Sequence, residues 1–196
     1  MLKQKFSIAP LPLLIILTSS CLVAGQVIRP LSCPKIKSVQ NLNETAYLGS
    51  WYLYSRYLFI FEQDKRCQKF DYFLGPNQEY SVRNTEISNI NNVENILTGN
   101  LTFFRNGQLQ IQYDEPYAAP PFAYTILSTD YVNYVIIYAC QNLLWSYAEY
   151  VWIRVRVPNP SQEVVDTFLA DLKAQNISTN ELVMTSQANC TNYSVN

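Results

Sequence analysis

Ile96-Leu97-Thr98-Gly99-Asn100-Leu101-Thr102-Phe103-Phe104 is followed, across Asn106-Gly107, by Leu109-Gln110-Ile111-Gln112-Tyr113. Both stretches alternate apolar and polar residues. In an extended chain successive side chains point to opposite faces. Leu97, Leu101 and Phe103 therefore share one face, and Thr98, Asn100 and Thr102 the other. Asn106-Gly107 marks the turn between the two strands.

The same signal recurs outward in both directions. Phe70, Tyr72 and Leu74 share a face of an earlier strand. Tyr131–Tyr138 is apolar on both faces, which predicts a strand covered on its outer side as well. Tyr147–Val157 reads as another long strand. Breaks fall at Gly75-Pro76-Asn77, Asn91-Asn92 and Ala119-Pro120-Pro121. One segment has the helical period instead. After Pro158-Asn159-Pro160, Ser161 predicts the cap of a helix reaching about Gln175. Val164, Val165, Phe168, Leu169 and Leu172 form its apolar stripe, and Asp166, Asp171 and Lys173 are expected to face away from it. The doubly apolar Tyr131–Tyr138 strand is the expected cover. The pattern is all-β, about eight strands and then one helix. Eight antiparallel strands can close into an up-and-down barrel with the C-terminal helix packed outside.

Composition excludes much chemistry. The 196 residues are 48% hydrophobic and 15% charged, with a net charge of −1 and no histidine. Without surplus cations a nucleic-acid partner is not expected. Without histidine there is no histidine-based triad and no histidine-ligated metal. The five glycines are too dispersed for a phosphate-cradling loop.

Residues 1–25 read as a secretory signal peptide. Lys3 and Lys5 precede an uncharged run centred on Leu13–Leu17, and Val23 and Gly25 stand at −3 and −1 of a cut before Gln26. The expected mature chain, 26–196, is a single secreted, extracellular domain. It keeps Cys33, Cys67, Cys140 and Cys190. An even cysteine count in a secreted chain implies disulfides; spacing leaves three pairings open. Of the five Asn-x-Ser/Thr triplets, Asn43, Asn100 and Asn176 are the expected glycan carriers.

Tyr47-Leu48-Gly49-Ser50-Trp51-Tyr52 carries a Gly-x-Trp signature, Thr129-Asp130-Tyr131 follows near a later turn, and Arg156 ends the last long strand. Together these blocks resemble the three motifs of the lipocalins. Ser128–Tyr134, Tyr138-Ala139-Cys140, the Cys33-Pro34 start and the Thr185–Cys190 ending are similar to the branch holding apolipoprotein D, Lazarillo and the invertebrate bilin-binding proteins. The resemblance implies that Trp51 closes the narrow end of a barrel with Arg156 lying across it. Gly49, Thr129, Asp130 and Tyr131 are then structural too. It further implies the pairings Cys33–Cys140 and Cys67–Cys190, and pocket positions at Tyr72, Tyr124 and Trp152.

If Trp51 and Arg156 point inward, strand alternation sends Tyr150, Trp152 and Arg154 inward too. Leu97, Leu101 and Phe103 add apolar wall. An aromatic cavity with a few polar tips suits a small hydrophobic ligand; the same side chains can equally fill the barrel. Arg154 departs from the branch, which has an apolar residue there. A buried guanidinium needs a partner. Three arrangements satisfy it: the carboxylate of an acidic ligand, a local bulge, or pairing with an acid such as Glu149.

Leu58-Phe59-Ile60-Phe61 lies in the loop after the first barrel strand. It is either a lid, a tip touching a receptor or lipid surface through Phe59, Ile60 and Phe61, or packing against Tyr117 and Phe122. The expected function is a secreted carrier of a fatty acid, sterol, retinoid or bilin, with no catalysis, metal or obligatory cofactor. The alternatives are a coloured bilin-binding protein, or an interaction protein working through its open-end loops.

Overall fold

The computed structural model describes residues 26–59, 62–115 and 123–190. The signal segment, Ile60, Phe61, Tyr117, Phe122, the Ala119–Pro121 break and Asn192 lie outside the described residues. In chain order the elements are β1 (Val27–Pro30), α1 (Glu44–Tyr47), β2 (Gly49–Arg56), β3 (Lys65–Leu74), β4 (Tyr80–Ser88), β5 (Glu94–Phe104) and β6 (Gln108–Tyr113). Then come β7 (Ala123–Thr129), β8 (Tyr134–Asn142), β9 (Ser146–Val155), α2 (Gln162–Ala174) and β10 (Val183–Met184).

Strands β2 to β9 each pair antiparallel with the next, and β9 pairs back onto β2 through Tyr52↔Val155. That closes an eight-stranded antiparallel barrel, as the alternation predicted. Two short strands and a one-turn helix were not legible. β1 lies along the start of β9 and β10 along the end of β2. β1 covers the β9 edge beyond its pairing with β2, and β10 covers the β2 edge beyond its pairing with β3. The eighth strand begins at Tyr134 rather than Tyr131, because Asp130–Asn133 are occupied by a turn.

Two cores sit on opposite sides of the wall. Trp51, Phe70, Tyr72, Leu109, Ile126, Val135, Ile137 and Trp152 point into the barrel. Tyr134, Ile136, Tyr138, Val151 and Ile153 point outward and pack with Phe168 and Leu172 of α2. The double apolarity of β8 thus has its expected cause. Each fully buried large apolar side chain stabilises by about 1.5–3 kcal/mol. The Ser161 hydroxyl accepts from the Val164 N–H as the cap of α2. Asp171 departs from expectation. It does not face away; its carboxylate accepts from the Ser128 and Tyr134 hydroxyls and pins the helix to the wall.

Both cystines form with the implied partners, Cys33–Cys140 and Cys67–Cys190. Asn43, Asn100 and Asn176 are exposed. Asn43 also caps α1, its Oδ1 accepting from the Ala46 N–H.

Candidate functional site

The barrel has one closed end. Trp51 lies near the start of β2, and Arg156 lies just past the end of β9 with its guanidinium carbon 3.6 Å from the Trp51 ring centroid. A cation over an indole face is attracted by the ring quadrupole. Arg156 also donates to four backbone carbonyls: Nε to Tyr131 at 3.1 Å, Nη1 to Ser50 at 2.9 Å, and Nη2 to Ala46 at 2.9 Å and to Tyr47 at 3.4 Å. Gly49 makes room for this. Its φ is +92°, and a Cβ there would sit 3.2 Å from Arg156 Nη1.

The Thr129-Asp130-Tyr131 block builds the turn that presents the Tyr131 carbonyl. Thr129 Oγ1 accepts from the Tyr131 N–H and donates to the Tyr134 carbonyl. Asp130 Oδ1 accepts from the N–H groups of Val132, Asn133 and Tyr134. Burial pushes the Asp130 carboxyl up, but the hydrogen bonds from Asn133, Tyr134 and Val132 outweigh it and hold it below the usual carboxylate range.

The antiparallel order puts the ends of β2 and β8 and the starts of β3 and β9 at the opposite, open end. Below this mouth lies a cavity of about 20 Å³ lined by Phe59, Glu62, Lys65, Asn84, Glu86, Leu97, Tyr113, Tyr124, Trp152 and Arg154. That is room for one or two waters. The described side chains therefore nearly fill the barrel.

The cavity brings together four of the eight expected ligand residues: Leu97, Tyr124, Trp152 and Arg154. Tyr72 reaches the site by accepting a hydrogen bond from Arg154 Nη1. Tyr150 stacks on Trp152 beneath Phe59. Leu101 and Phe103 are a correction. They lie toward the closed end and do not line the cavity; Phe103 packs against Tyr47 and Tyr80. Missed from sequence were Glu62, Lys65, Asn84, Glu86 and Tyr113. Tyr113 was reachable by continuing the Leu109-Ile111 alternation. Asn84 and Glu86 continue inward from Val82 on β4, but that strand is polar on both faces and gives no alternation to read.

Arg154 points inward and is 4% exposed. Strand β9 carries no bulge there, since Arg154 pairs in regular register with Val135 of β8. Glu149 is not its partner. It faces outward, ion-pairs with Arg29 at 3.1 Å and accepts from the Tyr138 hydroxyl. The Arg154 guanidinium instead lies 3.5 Å over the Phe70 ring, and its Nε has no hydrogen-bond acceptor among the described residues.

Phe59 is 3% exposed and turned into the mouth, edge-on to Tyr150 and Trp152. The three alternatives for its loop also involve Ile60, Phe61, Tyr117 and Phe122, which lie outside the described residues. Buried in this way, Phe59 cannot itself touch an outside surface. Glu62 follows it, accepting from Trp152 Nε1 at 2.8 Å and ion-pairing with Arg56 at 3.3 Å. Burial pushes the Glu62 carboxyl above its usual range despite Arg56 and Trp152. Burial likewise raises the phenols of Tyr47, Tyr113 and Tyr124 well above their ordinary value, so they stand as neutral hydroxyls.

Residues 48–189 match the model of the Lipocalin / cytosolic fatty-acid binding protein family. Apolipoprotein D of Cavia porcellus is 31% identical over 175 residues, 86% of this chain and 89% of that protein. The Lazarillo protein of Schistocerca americana is 28% identical over 182 residues, 89% of this chain and 82% of that one. In fold, insecticyanin from the tobacco hornworm Manduca sexta superposes with a TM-score of 0.77 at 20% identity, covering 84% of this chain and 91% of that one.

Proposed function

Since this chain belongs to the lipocalin family, we propose that it is a secreted, extracellular carrier that binds one small hydrophobic molecule inside its barrel. On this reading residues 1–25 are a removed signal, and 26–196 act as one lipocalin domain. The observation that carries the reading is the cavity wall of Leu97, Tyr124 and Trp152 under the Phe59 ring. A fatty acid, sterol, retinoid or bilin enters by displacing Phe59, which then folds back as a lid. The family model's description includes fatty-acid binding, in keeping with this class. No catalysis is assigned: there is no histidine, and the four cysteines after residue 25 are all consumed as cystines. A bilin in the same cavity would make the protein coloured.

Native against denaturing mass spectrometry on protein from its natural source tests this. An extra mass that leaves on denaturation is the expected result, and its value separates a bilin from a lipid. Purely apo protein that also fails to take up added lipid would remove the carrier reading.

One observation favours a second reading, contact with a lipid surface through the open-end loops. The β8–β9 turn exposes Leu144 (93%) and Trp145 (88%), and Leu31, 81% exposed, donates its N–H to the Trp145 carbonyl. An aromatic ring beside leucines is suited to the boundary between water and lipid. Replacing Leu144 and Trp145 with serine should abolish co-sedimentation with phosphatidylcholine vesicles and leave ligand uptake intact.

A further inference from the structure

The charges around the cavity are unequal, and the inequality points to one kind of ligand. Three cations and two carboxylates meet there. Glu62 is held by Arg56 at 3.3 Å, and Glu86 by Lys65 at 2.5 Å. Each carboxylate thus has its own cation. Arg154 has no carboxylate within ion-pair distance among the described residues. The segments 60–61 and 116–122 carry no ionisable acid or base except the phenol of Tyr117, so they leave the count unchanged.

Arg154 is held at the inner end of the cavity by the Phe70 ring below it and the Tyr72 hydroxyl at Nη1. Its Nε is buried and has no acceptor among the described residues. Asn84 lines the same cavity, and its Oδ1 is also buried and has no donor among the described residues. A buried donor and a buried acceptor left unmatched are each unfavourable, and a buried cation without an anion is more so. A purely apolar ligand would leave all of this in place. A carboxyl head would not, because an oxygen at Nε makes a charge-assisted bond.

Resting on the carrier reading, we propose that the ligand is a hydrophobic monocarboxylate, bound head-inward, with its carboxylate on Arg154 and its chain running past Tyr124 and Trp152 toward Phe59. One cation with no ion pair of its own matches one negative charge. A dicarboxylate, such as a bilin with two propionates, would bring a second anion toward Glu62 and Glu86. Asn84 sets the orientation of the head beside Arg154; through its amide it can donate to a carboxylate oxygen or accept from a water held there.

Full-length secreted protein titrated with palmitic acid, methyl palmitate and hexadecanol, read by tryptophan fluorescence or calorimetry, tests this. The acid is expected to bind at least tenfold tighter than the ester and the alcohol at pH 7.5. Arg154→Met should shrink that gap to within about twofold, mainly by weakening the acid. The comparison on wild-type protein stands even if the variant fails to fold. In addition, the carboxyl carbon-13 resonance of bound labelled palmitate should show an acid that stays ionised below its free-solution range. Equal affinity for all three in the wild type overturns the proposal and leaves the carrier standing. Binding of none of the three removes the carrier reading for lipids, and this proposal with it.

Discussion

Arg154 and Arg156 stand two residues apart on the same edge of the barrel interior, and they are used differently. Each stacks on an aromatic ring, Phe70 for one and Trp51 for the other. Arg156 is surrounded by carbonyls that turn toward it, and its Nε and both terminal nitrogens all donate. Arg154 donates to one hydroxyl and keeps Nε open. A saturated guanidinium is a structural bolt. One with an open donor, on a side chain that lines a cavity, is poised for something else. The ends of the barrel divide the same way. The closed end is held by hydrogen bonds and a cation–π contact. The open end is held by both cystines, since Cys67 lies near the start of β3 and Cys140 near the end of β8.

Removing each arginine is the sharpest way to break the comparison. Arg156→Ala should destabilise by about 4 kcal/mol, because four partly buried carbonyls lose their charged donor. Arg154→Met should change stability by less than about 1.5 kcal/mol, because a poorly paired buried charge gives way to an apolar chain of similar length. Urea unfolding followed by tryptophan fluorescence measures both. Equal losses would mean that Arg154 is a bolt as well.

The covalent end comes next. Cys67→Ser with Cys190→Ser should cost about 3 kcal/mol. Proteolysis should then cut first near the mouth and the C-terminal tail, leaving the Trp51 end protected. Gly49→Ala is smaller, about 1–2 kcal/mol, from the left-handed backbone and the approach to Arg156. Adding Arg156→Ala should recover only the steric part, as a double-mutant cycle will read.

The smallest contrast is in pH. The Asp130 carboxyl is held low in the fold, so its stabilisation is present above the ordinary carboxylate pKa and is lost as pH falls through its folded value. The advantage of wild type over Asp130→Asn should therefore hold at pH 6 and fade below about 4. The Glu62 carboxyl is held high, so the fold favours its protonated form. Glu62→Gln should be as stable as wild type or more stable at neutral pH, and the difference should vanish as pH falls through the raised folded value. Denaturation midpoints across pH should show these opposite slopes for the two ends.

The strong alternation in β5 and β6 made the wall legible, and the Ser161 cap with its apolar stripe made α2 legible. Inward parity along β9 placed Tyr150, Trp152 and Arg154 correctly, because no bulge interrupts it against β8. The family motifs carried the closed end and both cystines. The polar half of the cavity was not legible. On β4, Asn84 and Glu86 face inward while Arg83 and Thr85 face outward, so both faces read polar and the period of two disappears. Glu62 enters from a loop, where no period exists. Leu101 and Phe103 had the right face but the wrong depth: alternation reports in or out, not distance along the barrel axis. Asp171 was misjudged because a helical stripe sorts apolar residues and is silent on hydroxyls waiting beneath a carboxylate.

The seam of the barrel also has a consequence in time. Strand β2 must find β9, pairing Tyr52 with Val155, and Cys67 must find Cys190, 123 residues later. A ribosome makes roughly 5–20 residues per second, so for several seconds the emerging chain is a growing sheet with a bare edge. Such edges are templates for unwanted pairing. Neither the seam nor the second crosslink can form until almost the whole chain has been delivered. The Asn100 sequon lies midway through that interval, on the outward face of β5. A sugar attached there would shield the unfinished wall before the barrel has any means of closing itself.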